Sequence, residues 1–88
     1  MEKKTTRDDE RASDRVALGR ALRELRMAAH LTQEELARRA GTDNTYISHA
    51  EAGRFGVGWD TVMRLVRAMD LTIGELAAEV ERQLGTRG

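Results

Sequence analysis

Cysteine and proline are both absent from this 88-residue chain, and aromatic residues make up only 3% of it. Without cysteine, the chain forms neither a disulfide framework nor a zinc site with thiolate ligands. Without proline, the strongest helix breaker is missing and glycine is left to mark the turns. The core must therefore be built from aliphatic side chains and methionine, which suits a small helical domain.

Long apolar runs and an excess charge of either sign are also lacking. No stretch approaches the roughly 20 apolar residues that span a membrane, and the start shows no secretory segment, so we expect a cytoplasmic protein. Fifteen basic and fifteen acidic residues cancel. This balance counts mildly against nucleic-acid binding, although a neutral chain can still present one basic face.

The length predicts one compact domain with short charged ends. Residues 1–12 are almost wholly charged or polar and predict either a disordered arm or a frayed extension of the first helix, because they bury too little surface to fold alone. This arm is either a solvated tail or a DNA-contacting extension that uses Lys3, Lys4 and Arg7. Residues 13–84 form the predicted domain, and residues 85–88 form a tail.

Hydrophobic spacing predicts five helices. The first begins near Ser13 or Asp14 and ends near Ala29 or His30. The second opens with the sequence of residues 32–35, a capping box in which a threonine and a glutamate bond each other's backbone N–H groups. Gly41 supplies the left-handed turn that follows the second helix.

The third helix is short, with Asp43 as its N-cap and Gly53 after its end. Residues 54–58 then form a loop, and a fourth helix runs from Trp59 or Asp60 to Met69. A second capping box at residues 72–75 opens the fifth helix. The second and third helices are each too short to be stable alone, and the glycine turn joins them through small inward residues. This layout is typical of a helix-turn-helix, whose second helix enters the major groove of DNA.

The ordered motifs resemble the Cro and lambda-repressor (XRE) family of DNA-binding domains over residues 18–76. The matching residues are Leu18, Gly19, Leu22, Leu25, Arg26, the run 31–37, Gly41, Ile47, Ser48, Glu51, Gly53, the run 68–72, Glu75 and Leu76. The resemblance implies an all-α bundle of five helices that binds double-stranded DNA. It also implies a transcriptional regulator, a repressor or autoregulator that binds a pseudo-palindromic operator as a homodimer.

By the same resemblance, Asn44, Thr45 and His49 face the edges of bases. Asparagine pairs with adenine N6 and N7, and threonine offers a hydroxyl and a methyl group. Asp43 could accept from cytosine N4, although capping the helix is the favoured role for this carboxylate.

A second group of residues matches family positions that contact phosphates. Gln33 resembles the family glutamine that contacts a phosphate and supports the recognition helix, at a helix N-terminus that favours anions. Tyr46 could donate its hydroxyl to a phosphate or simply pack against the second helix. The remaining candidates are Arg23, Arg38, Arg39 and Arg54.

The resemblance also assigns structural roles. Arg26 and Glu51 match an inward salt bridge between the first helix and the recognition helix. The residues predicted to form a homodimer interface are Leu76, Val80, Leu84, Phe55, Val57 and Trp59. The alternative is that Leu76 and Val80 complete the core of a single protomer.

Other classes of function have less support in the residues. An enzyme is not expected, because the two histidines lie on different predicted elements and no phosphate loop or metal-binding motif is present. No cofactor, metal or small-molecule ligand is expected. The serious alternative is a protein-interaction module of the same fold, such as a toxin-neutralising antitoxin. Among regulators, a phage repressor, a restriction-modification controller and an antitoxin all stay open.

Overall fold

The computed structural model describes residues 7–85. In this range the chain is entirely helical apart from its turns, which confirms the all-α prediction. No helix within the described range is both long and apolar enough to cross a membrane. The helices are α1 (Arg7–Ala28), α2 (Gln33–Ala40), α3 (Asn44–Glu51), α4 (Trp59–Ala68) and α5 (Ile73–Gly85).

The start of α1 differs from the prediction. The helix begins at Arg7 rather than near Ser13 or Asp14. Once the buried part of α1 has formed, each further residue adds a hydrogen bond without a new nucleation cost, so a charged extension can continue the helix. Lys3 and Lys4 of the predicted arm, and residues 86–88 of the predicted tail, lie outside the described residues.

Both predicted capping boxes are present. At α2 the Thr32 hydroxyl accepts from the backbone N–H of Glu35 at 3.0 Å, and the Glu35 carboxylate accepts from the Thr32 N–H at 2.8 Å. Thr72 and Glu75 make the same pair of bonds at α5, at 3.1 and 2.9 Å. Gly41 ends α2 with a φ of 74°, in the left-handed region that a side chain disfavours.

The α2 cap makes a small contribution to stability that depends on pH. The backbone N–H of Thr32, followed by its hydroxyl, lowers the pKa of Glu35 below the usual 4.5. Because the unfolded chain lacks these bonds, the charged carboxylate stabilises the fold above pH 4.5. This contribution disappears as the pH falls through the lower pKa of the folded state.

The core joins the first four helices and the start of the fifth. α1 packs against α5 and α3, while α2 packs against α3 and α4. The largest fully buried side chains are Leu22, Leu36, Ile47, Leu65 and Val66. Burial of one such side chain stabilises the fold by about 1.5–3 kcal/mol. α2 and α3 are thereby held by their inner faces, which leaves their outer faces free.

Gly19 allows α1 and α3 to approach closely. A Cβ at this position would lie 2.5 Å from the carbonyl oxygen of Ala50 and 2.6 Å from that of Glu51. Both oxygens belong to the last turn of α3, so the absence of a side chain at Gly19 sets how near that end of the helix lies to α1.

Candidate nucleic-acid interface

α3 presents one apolar face to the core and one polar face outward. Ile47 and Ala50 are buried, whereas Asn44 and Thr45 are exposed and His49 is half-buried. The helix spans the eight residues Asn44–Glu51, and its N-terminal end carries the two exposed polar side chains. This is the part of a recognition helix that reaches base edges.

Asp43 caps the N-terminus of α3. Its Oδ1 accepts from the backbone N–H of Tyr46 at 2.8 Å. The capping bond satisfies one of the otherwise unpaired N–H groups of the first turn. The geometry thus supports the capping role of Asp43.

A shallow depression joins the N-terminal ends of α2 and α3. Asn44 lines it together with side chains from α2 and from the turn between the helices: Thr32, Glu34, Glu35, Ala37, Arg38, Thr42 and Asp43. Asn44 and Arg38 therefore face the same space, although they come from different helices. A predicted base-contacting residue and a predicted phosphate-contacting residue share one surface.

Glu51, at the end of α3, accepts hydrogen bonds from two other elements. Arg26 of α1 donates from Nε to Glu51 Oε2 at 2.6 Å and from Nη2 to Oε1 at 3.1 Å. Gln33 of α2 donates from Nε2 to Oε1 at 3.0 Å. One carboxylate thus connects α1, α2 and the recognition helix.

The ion pair between Arg26 and Glu51 is largely removed from water. The side chains are 12% and 4% exposed. Arg26 also donates from Nη1 to the carbonyl oxygen of Leu31 at 2.8 Å, which ties it to the turn before α2. Because both charged groups are paired and hydrogen-bonded, their burial is tolerated.

Tyr46 is half-buried and packs against the core. Its ring lies 4.9 Å from that of Phe55, centroid to centroid, at an interplanar angle of 47°. Phe55 therefore packs against the recognition helix of its own protomer, and its place in a dimer interface stays a prediction. The contact favours the packing role of Tyr46.

The arginines predicted to contact phosphates are all exposed on the surface. Arg38 and Arg39 occupy the last turn of α2. Arg54 follows α3 and lies 3.3 Å from His49, measured from Nη1 to Nε2. The exposed candidates are Arg23, Arg38, Arg39 and Arg54.

Leu76 fits its alternative role, completion of the protomer core. It is only 5% exposed, because its face of α5 completes the protomer core. Val80 is half-buried at the edge of the core, whereas Trp59 is 64% and Leu84 is 36% exposed. An open apolar groove lies beside them, lined by Leu18, Val57, Trp59, Val62, Ile73, Leu76, Ala77, Val80 and Glu81.

A family model described as a helix-turn-helix domain matches residues 17–80, nearly three quarters of the chain. The chain belongs to the helix-turn-helix family. In such a domain the second helix of the motif enters the major groove, and here that helix is α3. Asn44 and Thr45 lie at the exposed N-terminal end of this helix. Comparison with curated protein sequences gave no significant match.

Solved structures share both the fold and part of the sequence. The restriction-modification controller protein C.AhdI of Aeromonas hydrophila is 39% identical with a TM-score of 0.70, over 73% of this chain and 97% of that one. The clp gene regulator ClgR of Corynebacterium glutamicum is 27% identical with a TM-score of 0.81, over 84% and 79% of the two chains. A second ClgR structure is 28% identical with a TM-score of 0.77, over 81% and 91%.

Two features of the site were not anticipated from the sequence. One is the close approach at Gly19, for which a signal existed, since an isolated glycine inside a helical pattern often has a packing reason. The other is the contact between His49 and Arg54. Nothing in the sequence indicated this pair, because the loop geometry after Gly53 decides whether the two side chains meet.

Proposed function

We propose that this DNA-binding regulator acts as a homodimer on a pseudo-palindromic operator and controls transcription from the promoter that contains it. The single observation that carries the proposal is the exposed N-terminal end of α3, with Asn44 and Thr45 pointing away from a core that buries Ile47 and Ala50. Asn44, Thr45 and His49 select bases, and Asp43 caps the helix that carries them.

Phosphate contacts set the position of this helix in the groove. Gln33 is the first residue of α2, and its amide nitrogen carries two hydrogens, of which Glu51 takes one. The other hydrogen and the backbone N–H groups of Gln33 and Glu34 are left for a phosphate, since the N–H of Glu35 donates to the Thr32 hydroxyl. Arg38 and Arg39 add positive charge at the opposite end of α2. Arg23, Arg54 and the hydroxyl of Tyr46 complete the proposed set of phosphate contacts.

Asn44→Ala and Thr45→Ala are each expected to weaken operator binding by about 1–3 kcal/mol and to relax base preference at one position. Both side chains are exposed, so thermal unfolding is expected to stay unchanged. Fluorescence-anisotropy titrations on an operator selected from random duplex DNA measure the first effect, and thermal melts measure the second.

Arg39→Ala serves as the matched control for these variants. A phosphate contact carries no base information, so this variant is expected to lower affinity for all sequences alike. It should also reduce the slope of log affinity against log salt by about 0.9. If Asn44→Ala and Thr45→Ala behave as Arg39→Ala does, the assignment of base readers is wrong.

The apolar groove beside α5 is the proposed homodimer surface. One recognition helix reads few base pairs, and a twofold dimer presents two such helices about 34 Å apart on one face of DNA. Trp59 lines this groove and is 64% exposed, and Leu84, on the same helix as Val80 of the groove, is 36% exposed. A cluster of exposed apolar residues of this kind is typical of an interface.

Trp59→Ala is expected to weaken dimerisation by about 30-fold or more, since exposed tryptophans at interfaces often contribute about 2 kcal/mol. Sedimentation velocity over a range of concentrations measures the change. Met27→Ala is the control, because Met27 is also exposed, at 51%, but does not line the groove. Equal effects of the two substitutions would exclude the groove as the interface.

The similarity to the restriction-modification controller C.AhdI supports a controller role for this chain. We propose that the operator lies in the promoter of the protein's own gene. Binding of the purified chain to that promoter, compared with random duplex DNA at two salt concentrations, tests the proposal. Complete absence of DNA binding at low salt would instead favour the alternative of a protein-interaction module.

A further inference from the structure

His49 and Arg54 are held together by both backbone and side chain. The backbone N–H of Arg54 donates to the carbonyl oxygen of His49 at 3.1 Å. Gly53 makes this turn with a φ of 74°, and a Cβ there would lie 2.9 Å from Cα of Val16, so the turn is constrained from the α1 side. Arg54 Nη1 then lies 3.3 Å from His49 Nε2.

The chemistry of the two groups decides where the imidazole proton lies. A guanidinium has only N–H donors and stays charged in proteins, so Arg54 must donate in this contact. His49 Nε2 must then offer its lone pair. An imidazole that accepts at Nε2 is neutral and carries its proton on Nδ1.

His49 Nδ1 is left without a hydrogen-bond partner in the part of the chain that the structure describes. His49 is half-buried in the last turn of α3, one turn after the exposed Thr45. If His49 meets a base as the proposed function has it, Nδ1 is the ring nitrogen that remains for that base, and it is an N–H donor.

We propose that Arg54 is a positioning residue for base selection, because it holds His49 in the tautomer that donates from Nδ1 into the major groove. This rests on the proposed function, in which α3 reads bases. In the major groove a donor matches guanine N7 and O6, adenine N7 and thymine O4, and it opposes the amino group of cytosine. The pair thereby selects against cytosine at the base that His49 faces.

The first test reads the tautomer in the free protein. Long-range ¹H–¹⁵N spectra at about pH 8, where an ordinary imidazole is neutral, are expected to show His49 protonated at Nδ1. Arg54→Ala is expected to shift the population toward Nε2 protonation, and Arg54→Lys, which keeps a cationic donor, is expected to retain the Nδ1 form. Arg39→Ala is the matched control and is expected to leave the His49 tautomer unchanged.

The second test reads base preference by selection from random duplex DNA. His49→Ala identifies the position that His49 reads. At that position Arg54→Ala is expected to lose about tenfold of the discrimination against cytosine, and Arg54→Lys to restore it. Arg39→Ala is expected to lower affinity with its preferences intact.

Three outcomes would overturn the inference. These are protonation at Nε2 in the native protein, a tautomer that does not respond to Arg54→Ala, and an unchanged preference in Arg54→Ala at a position that His49→Ala alters. If the native protein enriches no sequence at all, the proposed function fails and base reading by His49 fails with it. The spectra then still decide whether Arg54 controls the tautomer.

Discussion

Glu51→Ala is expected to lower the free energy of unfolding by about 3–5 kcal/mol, because it leaves Arg26, whose side chain is only 12% exposed, without its counter-charge. The lost carboxylate accepts from Arg26 at 2.6 and 3.1 Å and from Gln33 at 3.0 Å, so the variant also removes the link between α2 and the end of α3. A domain of this size is stabilised by only about 5–15 kcal/mol, and the loss is a large share of that. Urea unfolding followed by circular dichroism measures it.

Two further variants test whether the loss of stability comes from the Arg26–Glu51 pair itself or would follow the loss of any ion pair. Arg82→Ala breaks the pair between Arg82 and Glu79, whose side chains are 67% and 11% exposed. Gln83 still donates to Glu79 at 2.8 Å, so this variant is expected to lower the unfolding midpoint far less than Glu51→Ala does. The double variant Arg26→Met with Glu51→Leu leaves no charge buried and is expected to be more stable than Glu51→Ala. A double variant as unstable as Glu51→Ala would show that the hydrogen bonds of Gln33 and Leu31, rather than the unpaired charge, dominate.

Gly19→Ala is expected to destabilise the domain by about 3 kcal/mol, at the upper end of the usual cost of overpacking. The new Cβ would meet the backbone oxygens of Ala50 and Glu51 at 2.5 and 2.6 Å. Backbone atoms cannot relieve the clash by a change of rotamer as a flexible side chain can, so α1 and α3 must move apart. Because the displaced carbonyls belong to the recognition helix, operator affinity is expected to fall as well. Urea unfolding and anisotropy titrations on the selected operator measure the two effects.

Gly74→Ala is the matched control for this substitution. Gly74 lies in the first turn of α5, and its Cβ would meet only the Thr72 hydroxyl oxygen at 3.7 Å, an ordinary contact. The same chemical change is therefore expected to stabilise the domain by about 0.4–1 kcal/mol through the entropy of the unfolded chain. If both substitutions shift stability in the same direction, the close approach at Gly19 is not the cause.

These variants distinguish effects on the fold from effects on contacts with DNA bases. Glu51 and Gly19 set where the recognition helix lies, whereas Asn44 and Thr45 are exposed on it. Loss of affinity with an unchanged melt therefore indicates base contacts. Loss of both indicates displacement of α3.

Local sequence determined the helical elements of the described range and most of their ends. The Asp43 cap sets the start of α3. The Thr32 capping box sets the start of α2 and Gly41 sets its end. Each of these signals acts within one turn of the chain. Glycine did not mark every turn, since His30 and Asp70 adopt a φ of 60° and 58° after α1 and α4. The predicted N-cap of α1 near Ser13 or Asp14 was wrong, because α1 continues back to Arg7 as the helical extension that was the other alternative for this segment.

The resemblance indicated which residues face DNA, but their arrangement depends on contacts between distant parts of the chain. The resemblance paired Arg26 with Glu51, but only the packing of α1, α2 and α3 shows that Gln33 donates to the same carboxylate. Packing also decided that Leu76 belongs to the protomer core and that Phe55 contacts Tyr46. Helix caps and turns are local interactions that a few neighbouring residues specify. The burial of a given face depends on the space left by every other element, which no short stretch of sequence contains.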